Sequence, residues 1–211
     1  MERLTIQTGP YEVNCSILSD CGRAWIVDPG QEAGRIAGAI GRKGLEPAAI
    51  LLTHAHFDHI GAVPELQKAF PGLPVFIGEN DGPVLVHPMN QLPPDYPPVE
   101  KPTNLRLIAS GERTVDLNGL SADILHTPGH TPGGICYYFS SERLLLSGDT
   151  LFAGSVGRTD LPGGDMTALV DSLRLLASLP DDTLVIPGHG PHTTIGEEKR
   201  SNPFLRTVSG R

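Results

Sequence analysis

Thr53-His54-Ala55-His56-Phe57-Asp58-His59 follows directly on the apolar run Ala48-Ala49-Ile50-Leu51-Leu52. A short aliphatic run that stops at a stretch rich in polar donors is how a buried strand delivers side chains to the rim of a sheet. Imidazole and carboxylate are the borderline and hard donors that Zn²⁺, Fe²⁺ and Mn²⁺ accept. Three histidines and an aspartate packed between His54 and His59 therefore predict a metal site on a loop after a strand.

Other strand ends carry the same donors. His130 sits in Thr127-Pro128-Gly129-His130-Thr131-Pro132-Gly133, Asp149 in Leu146-Ser147-Gly148-Asp149, and His189 in Ile186-Pro187-Gly188-His189-Gly190. Glycine beside each lets the backbone bend sharply and leaves room for an ion. Each placement alone is a weak signal, but with His54 to His59 the set becomes specific. It is too large for one tetrahedral ion and suits two ions that share a carboxylate and a water. His54, His56 and His130 are expected to hold the first ion, and Asp58, His59 and His189 the second. Asp149 would bridge them. Water between two cations becomes a hydroxide near neutral pH, and Asp58 can orient it. Asp58 and Asp149 are thus the candidate catalytic carboxylates. Two divalent ions are implied, zinc first, with iron or manganese compatible.

The flanking sequence alternates between strands and helices. Leu4–Gln7, Cys15–Leu18 and Ala24–Val27 read as strands, the last ending at the turn signal Asp28-Pro29-Gly30. Ala33, Ile36, Ala37 and Ile40 fall at helical spacing, weakened by Gly34, Gly38 and Gly41. A strand over Ala48–Thr53, a helix over Val63–Phe70 and a strand over Pro74–Ile77 complete a βαβαβ rhythm. Six prolines between Pro88 and Pro102 require a loop, either a spacer or a rim of the site. Arg113–Leu117 and Leu120–His126 predict a hairpin across Asn118-Gly119, followed by strands at Ile135–Phe139 and Leu144–Ser147. Asp165 is placed to cap a helix with the stripe Leu169, Leu173 and Leu176. Thr183–Ile186 reads as a last buried strand, and Thr194 as the cap of a short helix. The expectation is α/β: two sheets face to face with helices outside, in one domain over 1–211.

Totals narrow the function. The chain has 211 residues, 39% hydrophobic, and a net charge of −8, which speaks against nucleic acid as partner. No apolar run is long enough for a bilayer, and no basic-then-apolar leader precedes the first strand. Cys15, Cys21 and Cys136 form no CxxC spacing and are expected as buried small hydrophobes in a reducing, cytoplasmic setting. Of the remaining histidines, His126 is a candidate to orient a ligand imidazole, while His87 and His192 carry structural readings. The oligomeric state is left open.

The motif His54-Ala55-His56-Phe57-Asp58-His59, with His130, Asp149 and His189, resembles that of the metallo-β-lactamase superfamily. Within it the chain is similar to the short glyoxalase II-like, or hydroxyacylglutathione hydrolase-like, hydrolases. The stretches Ser147-Gly148-Asp149-Thr150-Leu151-Phe152, Gly157-Arg158-Thr159-Asp160 and Thr194 to Leu205 also carry the resemblance. It implies an αββα sandwich of two mixed sheets and hydrolysis of a small-molecule thioester such as S-D-lactoylglutathione. It also implies that Arg158 offers a cation to the substrate, or else pairs with Asp160. Little more than twenty residues follow His189, so the helical region with which full-length glyoxalase II enzymes grip glutathione is not expected. The alternative activity is that of a sulfur dioxygenase, with one iron on the equivalents of His54, His56 and His130, alone or with the aspartate. A β-lactamase is disfavoured because Asp149 stands where many such enzymes use cysteine.

Overall fold

The computed structural model describes residues 1–87, 100–117 and 119–208. A first sheet is built from β1 (Glu2–Thr8), β2 (Val13–Asp20), β3 (Arg23–Val27), β4 (Glu46–Leu51), β5 (Val75–Gly78) and β6 (Leu105–Ile108), in that order. β1 to β3 pair antiparallel; β3 to β6 run parallel, with α1 (Ala33–Arg42) and α3 (Val63–Ala69) as crossovers. The second sheet holds β7 (Thr114–Leu117), β8 (Leu120–His126), β9 (Ile135–Phe139), β10 (Leu144–Gly148), β13 (Leu184–Pro187) and β14 (Thr193–Thr194), ordered β14-β13-β10-β9-β8-β7. Its strands are antiparallel except for β10 beside β13. A separate two-stranded hairpin is formed by β11 (Leu151–Phe152) and β12 (Ser155–Val156).

The two-residue side-chain period of a strand explains the layering. Ile17, Ile26 and Ile50 face outward from the first sheet onto Ile36, Ile40, Val63 and Leu66 of its helices. Their neighbours Leu18, Trp25 and Leu51 point the other way and meet Ile124, Tyr137, Leu146 and Ile186 between the sheets. Tyr138, Leu145 and Val185 pack against Leu169, Leu173 and Leu176 of α4 (Met166–Ala177) on the outer face of the second sheet. Both sheets are therefore buried on both faces, which is why β4 and β10 read as continuous apolar runs. The result is the expected four-layer αββα sandwich. Burial of Leu173 to 0% exposure places it among side chains whose truncation to alanine costs roughly 2–5 kcal/mol.

Local signals behave as their chemistry dictates. The Asp165 carboxylate accepts from the Thr167 and Ala168 amides at the start of α4, at 2.7 and 3.1 Å. Thr194 accepts from the Glu197 amide and opens α5 (Ile195–Ser201), which leads to α6 (Pro203–Val208). Leu117 pairs with Leu120 as the 118–119 hairpin requires, although residue 118 lies outside the described residues. Most of the proline-dense stretch, read as a spacer or rim, also lies outside them, at 88–99; Pro102 is buried.

Three expectations are corrected. Cys21 is exposed, in a tight turn at positive φ between β2 and β3, whereas Cys15 and Cys136 are buried as anticipated. The donor-rich loop is partly helical: Phe57–Ile60 forms the single turn α2, so Asp58 and His59 sit on a short helix rather than in irregular loop. His126 turns away from the other histidines, its Nε2 bonded to the Glu112 carbonyl at 2.9 Å.

Candidate metal centre

Parallel pairing brings the donors together. β3 and β4 end side by side, delivering Asp28 from one and Thr53, His54 and His56 from the other. β10 and β13 do the same in the second sheet, delivering Asp149 and His189. The two rims are stitched by backbone bonds, Ile135 N to Thr53 O and Asn14 N to Gly188 O, both 2.8 Å.

Three groups of donor atoms each gather within 4.8 Å: His54, His56 and His130; His54, His59 and Asp149; and Asp58, His59 and His189. All seven anticipated donors are in this set. Asp149 touches both triads, with Oδ2 3.5 Å from His130 Nε2 and 3.6 Å from His189 Nε2, and Oδ1 3.4 Å from His59 Nε2. Asp58 Oδ2 lies 3.2 Å from His189 Nε2. Gly188 makes this approach possible, because a Cβ there would stand 2.7 Å from His59 Cε1 and would strike Asp149 Oδ1.

The far nitrogen of four rings is tied to the protein. His59 Nδ1 donates to Asp28 Oδ2 at 3.0 Å, His130 Nδ1 to the Arg158 carbonyl at 2.7 Å, and His189 Nδ1 to the Tyr11 carbonyl at 2.8 Å. Thr53 Oγ1 spends its proton on Asp28 Oδ2 at 2.7 Å, so toward His54 Nδ1, 3.0 Å away, it accepts. With Nδ1 so occupied, Nε2 is the nitrogen that each of these rings turns inward, the one a metal would take in place of a proton. His56 is reversed, with Nδ1 2.8 Å from His130 Nε2.

Whether this donor set fits cations is tested by its own accounting. His54 Nε2 and Asp149 Oδ1 are buried with no hydrogen bond in proper geometry among the described residues. Buried polar atoms left so cost about 1–3 kcal/mol each. Five imidazoles and two carboxylates converging on one another fit divalent cations, which the His54, His56 and His130 group and the Asp58, His59 and His189 group would hold with Asp149 between them.

Charge is divided between the triads. Burial, then its neighbouring histidines, pushes the His54 imidazole well below its ordinary value, and the same causes bring His56 down to about 4. Burial also works against a charge on His59, but the carboxylates of Asp149, Asp58 and Asp28 outweigh it and raise His59. His189 is likewise raised: burial opposes its charge, and the bond to Asp58 outweighs that. Burial works to raise Asp58 and Asp149, and the charge of His59 overrides it, leaving both carboxylates below their ordinary range. The carboxylates are thus ionised and ready to ligate.

Arg158 stands apart from the cluster. Its guanidinium is exposed and makes a bidentate pair with Asp160, both bonds 2.7 Å, while its carbonyl holds His130. Two buried carboxylates were overlooked in the sequence. Asp28, at positive φ, accepts from the Thr53 amide, the Thr53 hydroxyl and His59. Asp81 accepts from the Ala55 and Gly133 amides at 3.0 and 2.7 Å, joining the two donor loops across the sheets. The signal was present: both aspartates follow a buried strand, as the metal donors do.

A family model described as the metallo-beta-lactamase superfamily matches residues 8–189. Hydroxyacylglutathione hydrolase GloC of Haemophilus influenzae is 38% identical over 203 residues, 94% of this chain and 95% of that protein. Among solved structures, BLEG-1 B3 metallo-beta-lactamase superposes with a TM-score of 0.89 at 39% identity, covering 97% of this chain and 99% of that one. TTHA1623 in a di-iron-bound form gives a TM-score of 0.84 at 40% identity, over 95% and 99% of the two chains.

Proposed function

The chain belongs to the metallo-β-lactamase superfamily of metal-dependent hydrolases, and from that premise we propose that it cleaves a small thioester, S-D-lactoylglutathione or a related acyl-thiol, at a dinuclear centre. The observation that carries this reading is the meeting of two donor triads at the single carboxylate Asp149. Two divalent cations held there would supply a hydroxide nucleophile near neutral pH and polarise the scissile carbonyl. His54, His56 and His130 would hold one, Asp58, His59 and His189 the other, and Asp149 would be shared. The Asp58 carboxylate, ionised and tied to His189, also orients the attacking water from one side.

Thioesters suit the site because a thiolate leaves without a strong general acid, and the groups lining the centre are committed as ligands. Arg158 is the cation offered to an anionic substrate, once it exchanges Asp160 for the substrate's carboxylate. Zinc is the first choice of metal; the di-iron form of TTHA1623 supports iron at the same kind of site. Among the described residues no helix is long and apolar enough to cross a membrane. The free cysteines accord with a reducing, cytoplasmic location.

The likeness to BLEG-1 favours a second reading, β-lactam hydrolysis by the same hydroxide. The decisive experiment measures metal content together with turnover of S-D-lactoylglutathione, a β-lactam, and a persulfide with oxygen uptake. Two ions per chain and thioester turnover are expected. One iron per chain with persulfide-dependent oxygen uptake would replace the hydrolase by a dioxygenase, and turnover of the β-lactam alone would shift the substrate class.

A further inference from the structure

The Thr194 to Leu205 stretch has no donor in the metal centre, yet it contains two of the most deeply buried polar side chains in the protein. Glu198 is 1% exposed and Asn202 0%. Neither is spent on its own helices alone. Glu198 Oε2 accepts from the Gly154 amide at 2.8 Å and from Asn202 Nδ2 at 2.8 Å, and Oε1 accepts from the Thr193 hydroxyl at 2.6 Å. Asn202 Nδ2 also donates to the Ser155 carbonyl at 3.0 Å and, more weakly, to the Phe152 carbonyl at 3.4 Å. Its Oδ1 caps α6 by accepting from the Phe204 amide at 3.0 Å. Three residues of the β11–β12 hairpin, Phe152, Gly154 and Ser155, are thus gripped from α5 and the α5–α6 junction.

That hairpin is the segment of chain that joins two parts of the metal centre. Asp149, shared by both triads, lies two residues before it, and Arg158, whose carbonyl orients His130, lies two residues after it. Its first strand carries Phe152, whose ring meets that of His189 edge-on at 6.2 Å. Gly157 crosses the backbone so closely that a Cβ there would strike the Asp149 carbonyl oxygen. The hairpin cannot shift without moving Asp149, His130 or both. A two-stranded ribbon is marginal without support, and here the support comes from the C-terminal helices.

We propose that Glu198 and Asn202 are positioning residues for the metal centre, acting through the 151–156 hairpin to fix the Asp149 carboxylate and the His130 ring. The inference rests on the metal reading of the cluster and deepens it, because the pair sets the geometry of both triads from outside them. Residues that orient ligands without touching the metal commonly change affinity by about 10–100-fold.

The test uses the full chain loaded with Co²⁺, reading the cobalt dissociation constant, the visible absorption spectrum and the thermal midpoint. Glu198→Ala should weaken cobalt about 10–100-fold and shift the visible bands. Glu198→Gln should restore both, since its amide oxygen still accepts from Gly154 and Asn202 and its nitrogen meets the Thr193 hydroxyl. Asn202→Asp keeps the cap on α6 but loses the donors to Glu198, Phe152 and Ser155, leaving two carboxyls face to face that must share a proton, so it should alter the spectrum with α6 intact. Should Glu198→Ala fail to fold, Asn202→Asp still reads the effect. A lowered thermal midpoint with wild-type cobalt affinity and spectrum in both variants would overturn the proposal and leave the pair purely structural. Wild-type protein that takes up no cobalt would instead overturn the metal reading itself.

Discussion

Asp28→Asn isolates a carboxylate that touches no metal donor atom directly except through His59. Its Oδ1 accepts from the Thr53 amide at 2.7 Å, which an asparagine oxygen can continue to do. Its Oδ2 serves the Thr53 hydroxyl at 2.7 Å and His59 Nδ1 at 3.0 Å. An amide nitrogen there takes away the acceptor of the Thr53 hydroxyl proton, which disturbs the hydroxyl's bond to His54 Nδ1, and faces the His59 N–H donor to donor. The ring escapes only by moving its proton to Nε2, the atom that points at Asp58, Asp149 and His189. In that tautomer His59 cannot ligate. Losing one charge-assisted hydrogen bond is worth about 1.5–3 kcal/mol, roughly 10–100-fold in affinity at about 1.4 kcal/mol per decade. The loss should fall most heavily on the Asp58–His59–His189 site, with a smaller effect on the other through Thr53 and His54. Competition with a fluorescent chelator should therefore show one tight and one weakened ion, with folding retained. Two equally tight ions in Asp28→Asn would refute the role given to the carboxylate.

Gly188→Ala puts a methyl group 2.7 Å from His59 Cε1 and into Asp149 Oδ1, so one of them must recede by the better part of an ångström. Misplacement on that scale costs on the order of 100-fold in rate, and wild-type kcat in the variant would count against a bridging Asp149. Acid should strip the two sites in order. His59 and His189 bind protons above their ordinary value, whereas His54 and His56 hold them only well below it, His56 at about 4. Protons compete with metal for ligands, so metal content titrated downward from neutral pH should fall first to one ion per chain; simultaneous release would contradict the division of charge. Gly34→Ala serves as a control in α1, where the added methyl meets nothing within 4 Å and φ is helical. It should raise stability by about 0.5–1 kcal/mol in denaturant unfolding and leave turnover unchanged.

The sandwich, and the gathering of the seven donor side chains in one place, were legible because they rest on short-range signals: apolar runs of strand length, glycine-flanked histidines after them, and turn or cap residues between. What escaped notice depends on tertiary pairing. Asp28 looked like part of a Pro-Gly turn, and only the parallel seating of β3 against β4 sets its carboxylate under Thr53 and His59. Asp81 bonds amides 26 and 52 residues away, which no local pattern announces. Asp58 and His59 were expected in a loop, since a single helical turn is too short to show a 3.6-residue period. Cys21 was read as buried from residue type alone, yet a turn places it in solvent. The C-terminal stretch carried a recognisable motif without a reason; Glu198 and Asn202 supply it once the hairpin is in view.

Anomalous diffraction from crystals of the metal-loaded protein tests the central claim most directly. Two peaks about 3.5–4 Å apart are predicted, one against His54, His56 and His130, the other against Asp58, His59 and His189, with the Asp149 carboxylate between them. A single peak on the first triad, with Asp58 Oδ2 still bonded to His189 Nε2, would contradict the dinuclear account.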